Sequence, residues 1–164
     1  MPSPDVHPTA LTVLHIGAEQ TMVLCSHGHQ AATPLRLPLG AQTTAQTYFQ
    51  HTPPTPLELE HAIAAVEDAL MRIHPLVNRH SRLVTSNAVI GDIARLAGAT
   101  VLPNQSVHLT LDGMEQVFQR LSARSLGRPI SQDVLPEGAG FAATLLILRE
   151  FMHHMNFDAI TVQR

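Results

Sequence analysis

The beginning of the chain consists of short apolar runs separated by turn-forming residues. The runs cover residues 10–16, 21–25 and 32–39, and the turn segments are Gly-Ala-Glu-Gln at 17–20 and Ser-His-Gly-His at 26–29. Apolar runs rich in β-branched residues and bounded by glycine and small polar residues are typical of strands joined by tight turns. Pro34 and Pro38 indicate an edge or a bulge in the third run, since proline cannot donate to a strand ladder. This pattern predicts an antiparallel three-stranded meander.

After residue 40 the apolar spacing changes from that of strands to that of helices. Residues 40–56 hold a short amphipathic stretch around Tyr48 and Phe49, which ends in the breaker Pro-Pro-Thr-Pro at 53–56. Thr55 and Glu58 have the spacing of a capping box, and proline is favoured at the first helical position that follows. The predicted helix carries its apolar stripe at Leu59, Ile63, Val66, Leu70 and Ile73, and Pro75 ends it near His74.

The remaining sequence alternates between short strands and helices. It predicts a buried strand at 82–85, a helix at 88–96 closed by Gly98, a small extended piece at 107–109, a helix capped by Asp112, a loop at 129–136, a helix at 138–155 that is apolar almost all round, and a strand at 159–162. The predicted order is therefore β-β-β-α-β-α-α-α-β. An antiparallel start followed by helix-linked strands is typical of a mixed sheet with helices packed on it.

These elements define an α/β fold class: a single ribonuclease H-like subdomain, of the kind found in actin-like ATPases, with a mixed five-stranded sheet. Residues 1–9 are expected to form a flexible N-terminal segment, and residues 10–164 one domain.

Composition and charge narrow the possible partners. The chain has 164 residues with 10 basic and 13 acidic side chains, a net charge of −3, which argues against nucleic-acid binding. A local basic patch could still form at Arg120, Arg124 and Arg128, which fall close together in sequence. The single cysteine, Cys25, excludes an intramolecular disulfide. No signal-peptide pattern and no apolar run near the ~18 residues of a membrane span is present, so we expect a cytoplasmic protein that does not contact membranes.

Eleven histidines raise the question of a metal site. His27 and His29 flank a glycine, which is typical of a turn, and the neighbouring His153 and His154 cannot share one face of a helix. No HExxH motif and no paired Cys/His spacing occurs, so the sequence predicts no bound metal.

Four stretches carry a resemblance to a known family. They are LTVLHIGAEQTMVL (11–24), LRLPLGAQTTAQTYF (35–49), LVTSNAVIGDIARLAGA (83–99) and the segment from LTLDGMEQVF to FDAITV (109–162). In this order the chain resembles the second, C-terminal half of the actin-like core in the exopolyphosphatase and guanosine pentaphosphate phosphohydrolase family. The resemblance covers about residues 10–162 and implies the same fold class as the element order.

The resemblance also identifies positions where phosphate contacts would lie. The family's first loop reads Asp-Ile-Gly-Gly-Gly-Ser-Thr-Glu, and residues 15–22 read His-Ile-Gly-Ala-Glu-Gln-Thr-Met instead. Its second turn, roughly Gly-Thr-Ser-Gly-Thr, becomes Thr-Ser-Asn-Ala-Val at 85–89, and an arginine near the start of the long helix becomes Gly138. Successive glycines let backbone N–H groups close on a phosphate, and here side chains and a negative charge replace them. The vestigial phosphate-binding residues are thus Gly17, Glu19, Gln20, Thr21, Ser86 and Asn87, and no catalytic residue is predicted.

Ordinary turn chemistry explains the same residues equally well. Gly17 fits a simple hairpin glycine, while Thr21, Ser86 and Asn87 are common turn residues. Glu19 has no acid or base near it in sequence that would make it catalytic. The family's first half, with its own phosphate loop, has no counterpart in these residues.

Three functions remain open from the sequence. The first is a non-catalytic interaction or regulatory module, including a homodimer that covers the old cleft face, where Tyr48, Phe49 and Phe141 are expected to be exposed. The second is a binding module for polyphosphate, a guanosine polyphosphate or another nucleotide. The third is a phosphatase subunit completed by a separate first-half chain. No cofactor is expected, with Mg²⁺ needed only if phosphatase activity remains.

Overall fold

The computed structural model describes residues 10–26, 33–127 and 135–163. The N-terminal segment 1–9, the turn histidines 27–29, Arg128 and most of the loop predicted at 129–136 lie outside these ranges. Within them, no helix is both long enough and apolar enough to cross a bilayer.

The strands form one mixed sheet, and its first three members are the predicted meander. The strands are β1 (Leu11–Ile16), β2 (Thr21–Ser26), β3 (Thr33–Leu37), β4 (Arg82–Thr85), β5 (Thr100–Val101), β6 (Val107–Thr110) and β7 (Ala159–Val162), in the spatial order β3-β2-β1-β4-β7-β6-β5. β2 is antiparallel to both β1 and β3, which confirms the meander. β4 runs parallel to β1 and β7, and the β5–β6 hairpin pairs antiparallel to β7.

The sheet has seven strands, so the prediction of five was wrong. β6 coincides with the piece predicted as merely extended, and it joins the sheet through four residue pairs with β7. β5 is two residues long and both are exposed, so it leaves no apolar pattern that sequence reading could detect. Both strands are defined by their pairing partners and not by their own composition.

Within the described residues, the helical layer contains five α-helices. They are α1 (Ala41–Tyr48), α2 (Pro56–Ile73), α3 (Ala88–Leu96), α4 (Leu111–Ser125) and α5 (Ala139–His154), with a 3-10 turn at His74–Leu76. The capping box of α2 is confirmed: the Glu58 N–H donates to the Thr55 hydroxyl (3.1 Å), and the Thr55 N–H donates to the Glu58 carboxylate (2.9 Å). Gly98 follows α3 with φ +66°, the left-handed conformation expected of a glycine that closes a helix.

Asp112 does not cap α4, contrary to the prediction. The helix begins at Leu111, and the Thr110 hydroxyl accepts the Gly113 N–H at 3.0 Å. Asp112 lies inside the first turn, where a negative charge is favourable next to the positive end of the helix dipole.

α5 is the centre of the helical layer. It packs against α1, α2, α3 and α4 and also contacts β1, and the predicted burial is confirmed because eleven of its sixteen residues are buried. The strand residues in this core, such as Leu14, Leu83 and Ile160, all lie on one face of the sheet. The other face, with Val13, Val84 and Thr161 in register, contributes no residue to that core.

Two of the three residues of the predicted local basic patch, Arg120 and Arg124, bond to backbone carbonyls within the described residues, and Arg128 lies outside them. Arg124 is buried and donates to the Leu135 carbonyl (3.1 Å), and Arg120 donates to the Leu96 carbonyl (3.2 Å). These arginines hold neighbouring segments together through backbone acceptors.

Candidate binding site at the carboxyl ends of the central strands

The two predicted phosphate turns lie side by side. β1 and β4 are parallel neighbours, so both end at the same edge of the sheet, where open α/β sheets bind their ligands. The β1–β2 turn, residues 17–20, follows β1, and Ser86 and Asn87 connect β4 to α3. The Asn87 side-chain amide donates to the Ile16 carbonyl at 2.8 Å, which joins the two turns directly.

The backbone of the β1–β2 turn is hydrogen-bonded to the start of α1. The Gly17 N–H donates to the Gln20 carbonyl (2.9 Å), closing the turn. The Gly17 carbonyl accepts the Ala41 N–H (2.8 Å), and the Ala18 carbonyl accepts the N–H groups of Gln42 (2.9 Å) and Thr43 (3.1 Å). The first amides of a helix are its natural anion-binding groups, and in α1 these three already have acceptors.

Gly40 makes this contact possible because no side chain separates the two segments. A Cβ atom added at Gly40 would lie 2.4 Å from the Gly17 carbonyl oxygen and 2.6 Å from that of Ala18. Such distances are far below van der Waals contact, so only glycine fits this position. The glycine in the LPLG segment was part of the family resemblance, and its packing role here is clear only from the structure.

Two of the predicted phosphate ligands are buried and internally bonded. Thr21 is fully buried, and its hydroxyl donates to the Leu39 carbonyl at 3.0 Å. Asn87 is buried as well, and its side-chain oxygen accepts the Val89 N–H (3.1 Å) as the cap of α3. The Thr85 hydroxyl, beside it, donates to the Leu14 carbonyl (2.8 Å). These contacts give Thr21 and Asn87 a structural role.

The other predicted residues are exposed. Glu19 and Gln20 line an open cavity of about 660 Å³ together with Gly17, and Ser86 lies on the surface between β4 and α3. None of the three side chains makes a hydrogen bond within the described ranges. Glu19 is the only acid among the lining residues of this cavity.

A second groove opens beside the same turn. Its volume is about 610 Å³, and it is lined by Ile16, Gly17, Ala18, Ala41, Gln42, Ala45, Gln46, Val89, Gly138, Ala139, Gly140, Phe141 and Thr144. We call this the α5 groove, because the first turn of α5 forms one wall. Most of its lining is apolar, and polar side chains come only from two glutamines and one threonine. Gln42 and Gln46 belong to the Gln- and Thr-rich stretch at 41–50, whose composition in the sequence favoured the alternative of a polar cleft face.

The start of α5 has no side-chain cap. Gly138 is the cap residue, and the only acceptor it offers is its carbonyl, which receives the Phe141 (3.1 Å) and Ala142 (3.3 Å) amides. A Cβ at Gly138 or Gly140 would meet nothing within 4 Å, so the wall of the groove is open at this point.

The aromatic residues expected on an exposed cleft face are largely buried. Phe49 and Phe141 are 8% and 7% exposed, and both belong to the core, while Tyr48 is half-buried. The predicted exposed aromatic patch is therefore wrong: the helical layer turns these rings inward, and smaller aliphatic groups form the surface of the groove.

One group of side chains has the composition of a metal site, away from this edge. Glu67 of α2 and Glu150 and His154 of α5 place their ligand atoms within 4.8 Å of one another. The His154 imidazole lies 3.5 Å from the Glu67 carboxylate and 3.3 Å from that of Glu150, so contacts between these side chains account for the arrangement. Burial raises the pKa of the Glu150 carboxyl, while the Arg149 guanidinium at 2.8 Å opposes that change.

The adjacent histidines contact different helices, as their spacing predicted. His153 lies 2.5 Å from Glu115 of α4, whereas His154 lies beside Glu67 of α2. Arg149 joins the two sides by donating to both Glu115 and Glu150. This network ties α2 and α4 to the end of α5.

Comparison with known proteins gives a fold relationship. No protein-family model matches the sequence, and no curated protein matches it. Among solved structures, the PPX-GPPA enzyme of Aquifex aeolicus is 19% identical with a TM-score of 0.74, over 94% of this chain and 53% of that one. An exopolyphosphatase from Cytophaga hutchinsonii is 14% identical with a TM-score of 0.73, over 95% of this chain and 54% of that one. An exopolyphosphatase-like protein is 12% identical with a TM-score of 0.76, over 98% and 57%.

The resemblance read from the sequence is thus confirmed at the level of the fold. The chain has the fold of part of a Ppx/GppA exopolyphosphatase, and it spans about half the length of the solved structures that it matches.

Proposed function

We propose that this chain is a non-catalytic interaction module that retains the exopolyphosphatase-like fold and uses the α5 groove to contact another polypeptide. The proposal rests on the observation that the polar groups around the groove already form hydrogen bonds within the chain. The amides of α1, the Thr21 hydroxyl and the Asn87 amide all have internal partners, and aliphatic side chains form most of the remaining surface. An open groove of this kind favours an apolar partner over a phosphate.

The arrangement of acids supports a non-catalytic role. Phosphoryl transfer depends on charged groups and metal ions that are positioned around the phosphate. Glu19 is the only acidic side chain among the lining residues of the two cavities at this edge. We therefore expect no release of phosphate from polyphosphate or guanosine pentaphosphate by this chain alone, with or without Mg²⁺. Phosphate release above that of a heat-inactivated control, lost in Glu19→Ala, would contradict the proposal.

The partner we propose is a second copy of the chain, because two-fold pairing is the commonest way to cover such a surface. Light scattering at micromolar concentration should then give about twice the chain mass of 17.8 kDa. Ala139→Glu places a charge in the groove and should raise the dissociation constant at least about tenfold. The folded chain should tolerate this change, since a carboxylate suits the first turn of a helix.

The matched control is Ala64→Glu, which adds the same charge on the exposed face of α2 and should leave the mass unchanged. A mass near 17.8 kDa at all concentrations would contradict the homodimer. In that case the other partner to test is a separate chain that carries the first half of an exopolyphosphatase-like core. Co-expression and co-purification of the two chains would test it.

A second candidate function, binding of polyphosphate or a guanosine polyphosphate, is favoured by the start of α5. An uncapped helix start with two exposed glycines offers N–H groups to an anion. A rise in melting temperature on adding either ligand, reversed by Gly138→Asp, would support this function over the interaction module.

A further inference from the structure

A second groove lies at the opposite end of the sheet, and it is lined by basic side chains where the α5 groove is mostly apolar. It lies where β4 begins at Arg82 and β7 begins at Ala159, and its volume is about 430 Å³. Its lining is Arg79, Ser81, Arg82, Leu83, His108, Asn156, Phe157, Asp158, Ala159 and Thr161. We call it the amino-end groove. Two arginines and a histidine face a single acid there, in a chain whose net charge is −3.

Both arginines are exposed and have no internal partner. Within the described ranges, neither the Arg79 nor the Arg82 guanidinium makes a hydrogen bond or an ion pair. The backbone that carries them is nonetheless well fixed. The Ser81 hydroxyl donates to the Asn78 carbonyl (2.5 Å), and the Arg82 N–H donates to the Ala10 carbonyl (2.9 Å). Two cationic side chains thus extend from a fixed backbone at one rim of the groove, and neither forms an ion pair with a described residue.

The floor of the groove carries a hydroxyl without a partner. His108 and Thr161 are register partners on β6 and β7, so their side chains lie next to each other on the same face of the sheet. Thr161 is only 4% exposed as a residue, but its Oγ1 is not among the buried side-chain atoms that lack a partner in the described residues, so this hydroxyl opens into the groove. A threonine hydroxyl that opens into the groove can donate a hydrogen bond to an oxygen of a molecule bound there.

We propose that the amino-end groove binds a small, multiply charged anion through its phosphate or carboxylate groups. Guanidinium groups match both kinds of oxygen acid in a two-pronged geometry, and their hydrogen bonds to anions are among the stronger ones in proteins. Arg79 and Arg82 supply the charge, and the Thr161 hydroxyl donates to an oxygen at the floor. This site is separate from the α5 groove and does not depend on the function proposed there.

Calorimetric titration of the full chain with inorganic pyrophosphate and, separately, with citrate tests the site at about 0.15 M salt, where weak surface charge effects are screened. We expect saturable binding of at least one of them. Pyrophosphate alone would identify a phosphate ligand, citrate alone a carboxylate ligand, and either result supports the site. No saturable binding of either up to about 10 mM would overturn it.

Variants separate the site from general charge attraction. Arg82→Gln should weaken binding at least about tenfold. Arg72→Gln removes the same charge from the exposed face of α2 and should change binding less than about twofold. Equal weakening by both variants would overturn the proposal.

Thr161→Val gives a second measurement. It should weaken binding severalfold without lowering the melting temperature of the free protein, because the hydroxyl has no internal partner to lose. A lower melting temperature together with unchanged binding would show that the hydroxyl serves the fold and would contradict its role in the site.

Discussion

The two ends of the central strands carry comparable polar residues and use them in opposite ways. At the carboxyl ends, Thr21 and Asn87 are buried and bonded to backbone atoms of neighbouring segments. At the amino ends, Arg79, Arg82 and Thr161 have no partner among the described residues, although the backbone around them is equally regular.

This difference separates residues that serve the fold from residues available to a ligand. A polar side chain with an internal partner costs stability when it is removed, whereas one without a partner costs little. The residues that the family resemblance identified as phosphate contacts lie at the carboxyl ends. Glu19, Gln20 and Ser86 lack internal partners there, but the two arginines without a partner lie at the other end.

The largest effect should come from breaking the contact between α1 and the β1–β2 turn. In Gly40→Ala the new Cβ would lie 2.4 Å from a backbone oxygen, so both segments must move apart. We expect a loss of at least about 3 kcal/mol in the free energy of unfolding, measured by urea denaturation.

Gly138→Ala is the matched control, since Gly138 is also the cap residue of a helix without a side-chain cap. A Cβ there would meet nothing within 4 Å, so only the loss of a favourable cap residue, about 0.5–1 kcal/mol, is expected. Equal losses in the two variants would show that the close approach at Gly40 is not what stabilises the turn.

A smaller but clear effect should distinguish the neighbours Ser86 and Asn87. Asn87→Ala removes the cap of α3 and leaves the Ile16 carbonyl without its donor, so we expect a loss of about 2–3 kcal/mol. Ser86→Ala, at an exposed position with no internal bond, should change the unfolding free energy by less than about 0.5 kcal/mol. A neutral Asn87→Ala would restore Asn87 as a candidate ligand.

The smallest expected effect is the pH dependence of stability that comes from Glu58, a carboxylate with internal hydrogen-bond partners. The Thr55 N–H, together with the Gln50 N–H at 2.7 Å and His51, lowers the pKa of Glu58 from 4.5 to about 2. Because the pKa is lower in the folded state, the stability that it adds is present above pH 4.5 and is lost as the pH falls towards 2. Urea midpoints measured across this range should fall more steeply for the native chain than for Glu58→Gln, and parallel curves would contradict the assignment.

Much of the fold could be predicted because local chemistry specifies it. The capping box at Thr55, the glycine after α3 and the apolar surface of α5 are each encoded within a few residues, and all three were predicted correctly. β5 and β6 were not counted as strands, because a two-residue strand and a strand with one fully buried residue depend on their pairing partners.

For the candidate site, the sequence named the two turns but did not predict that they lie side by side. The adjacency of the two turns follows from the parallel pairing of β1 and β4. Whether Thr21 and Asn87 are ligands or structural residues depends on acceptors contributed by Leu39 and Ile16, which no spacing pattern reveals. The amino-end groove joins residues from β4, β6 and β7 that are distant in sequence, so no motif could indicate it.

The bonds between β1 and β4 also bear on how the chain folds. Thr12 with Ser81, Leu14 with Thr85 and Ile16 with Asn87 are separated by 69, 71 and 71 residues along the chain. Closing loops of this length is entropically unfavourable until the contacts form, so such topologies fold slowly. During synthesis, one edge of β1 stays unpaired until residues 81–87 have been made. Unpaired strand edges promote aggregation. The nascent chain is therefore most vulnerable before β4 has emerged.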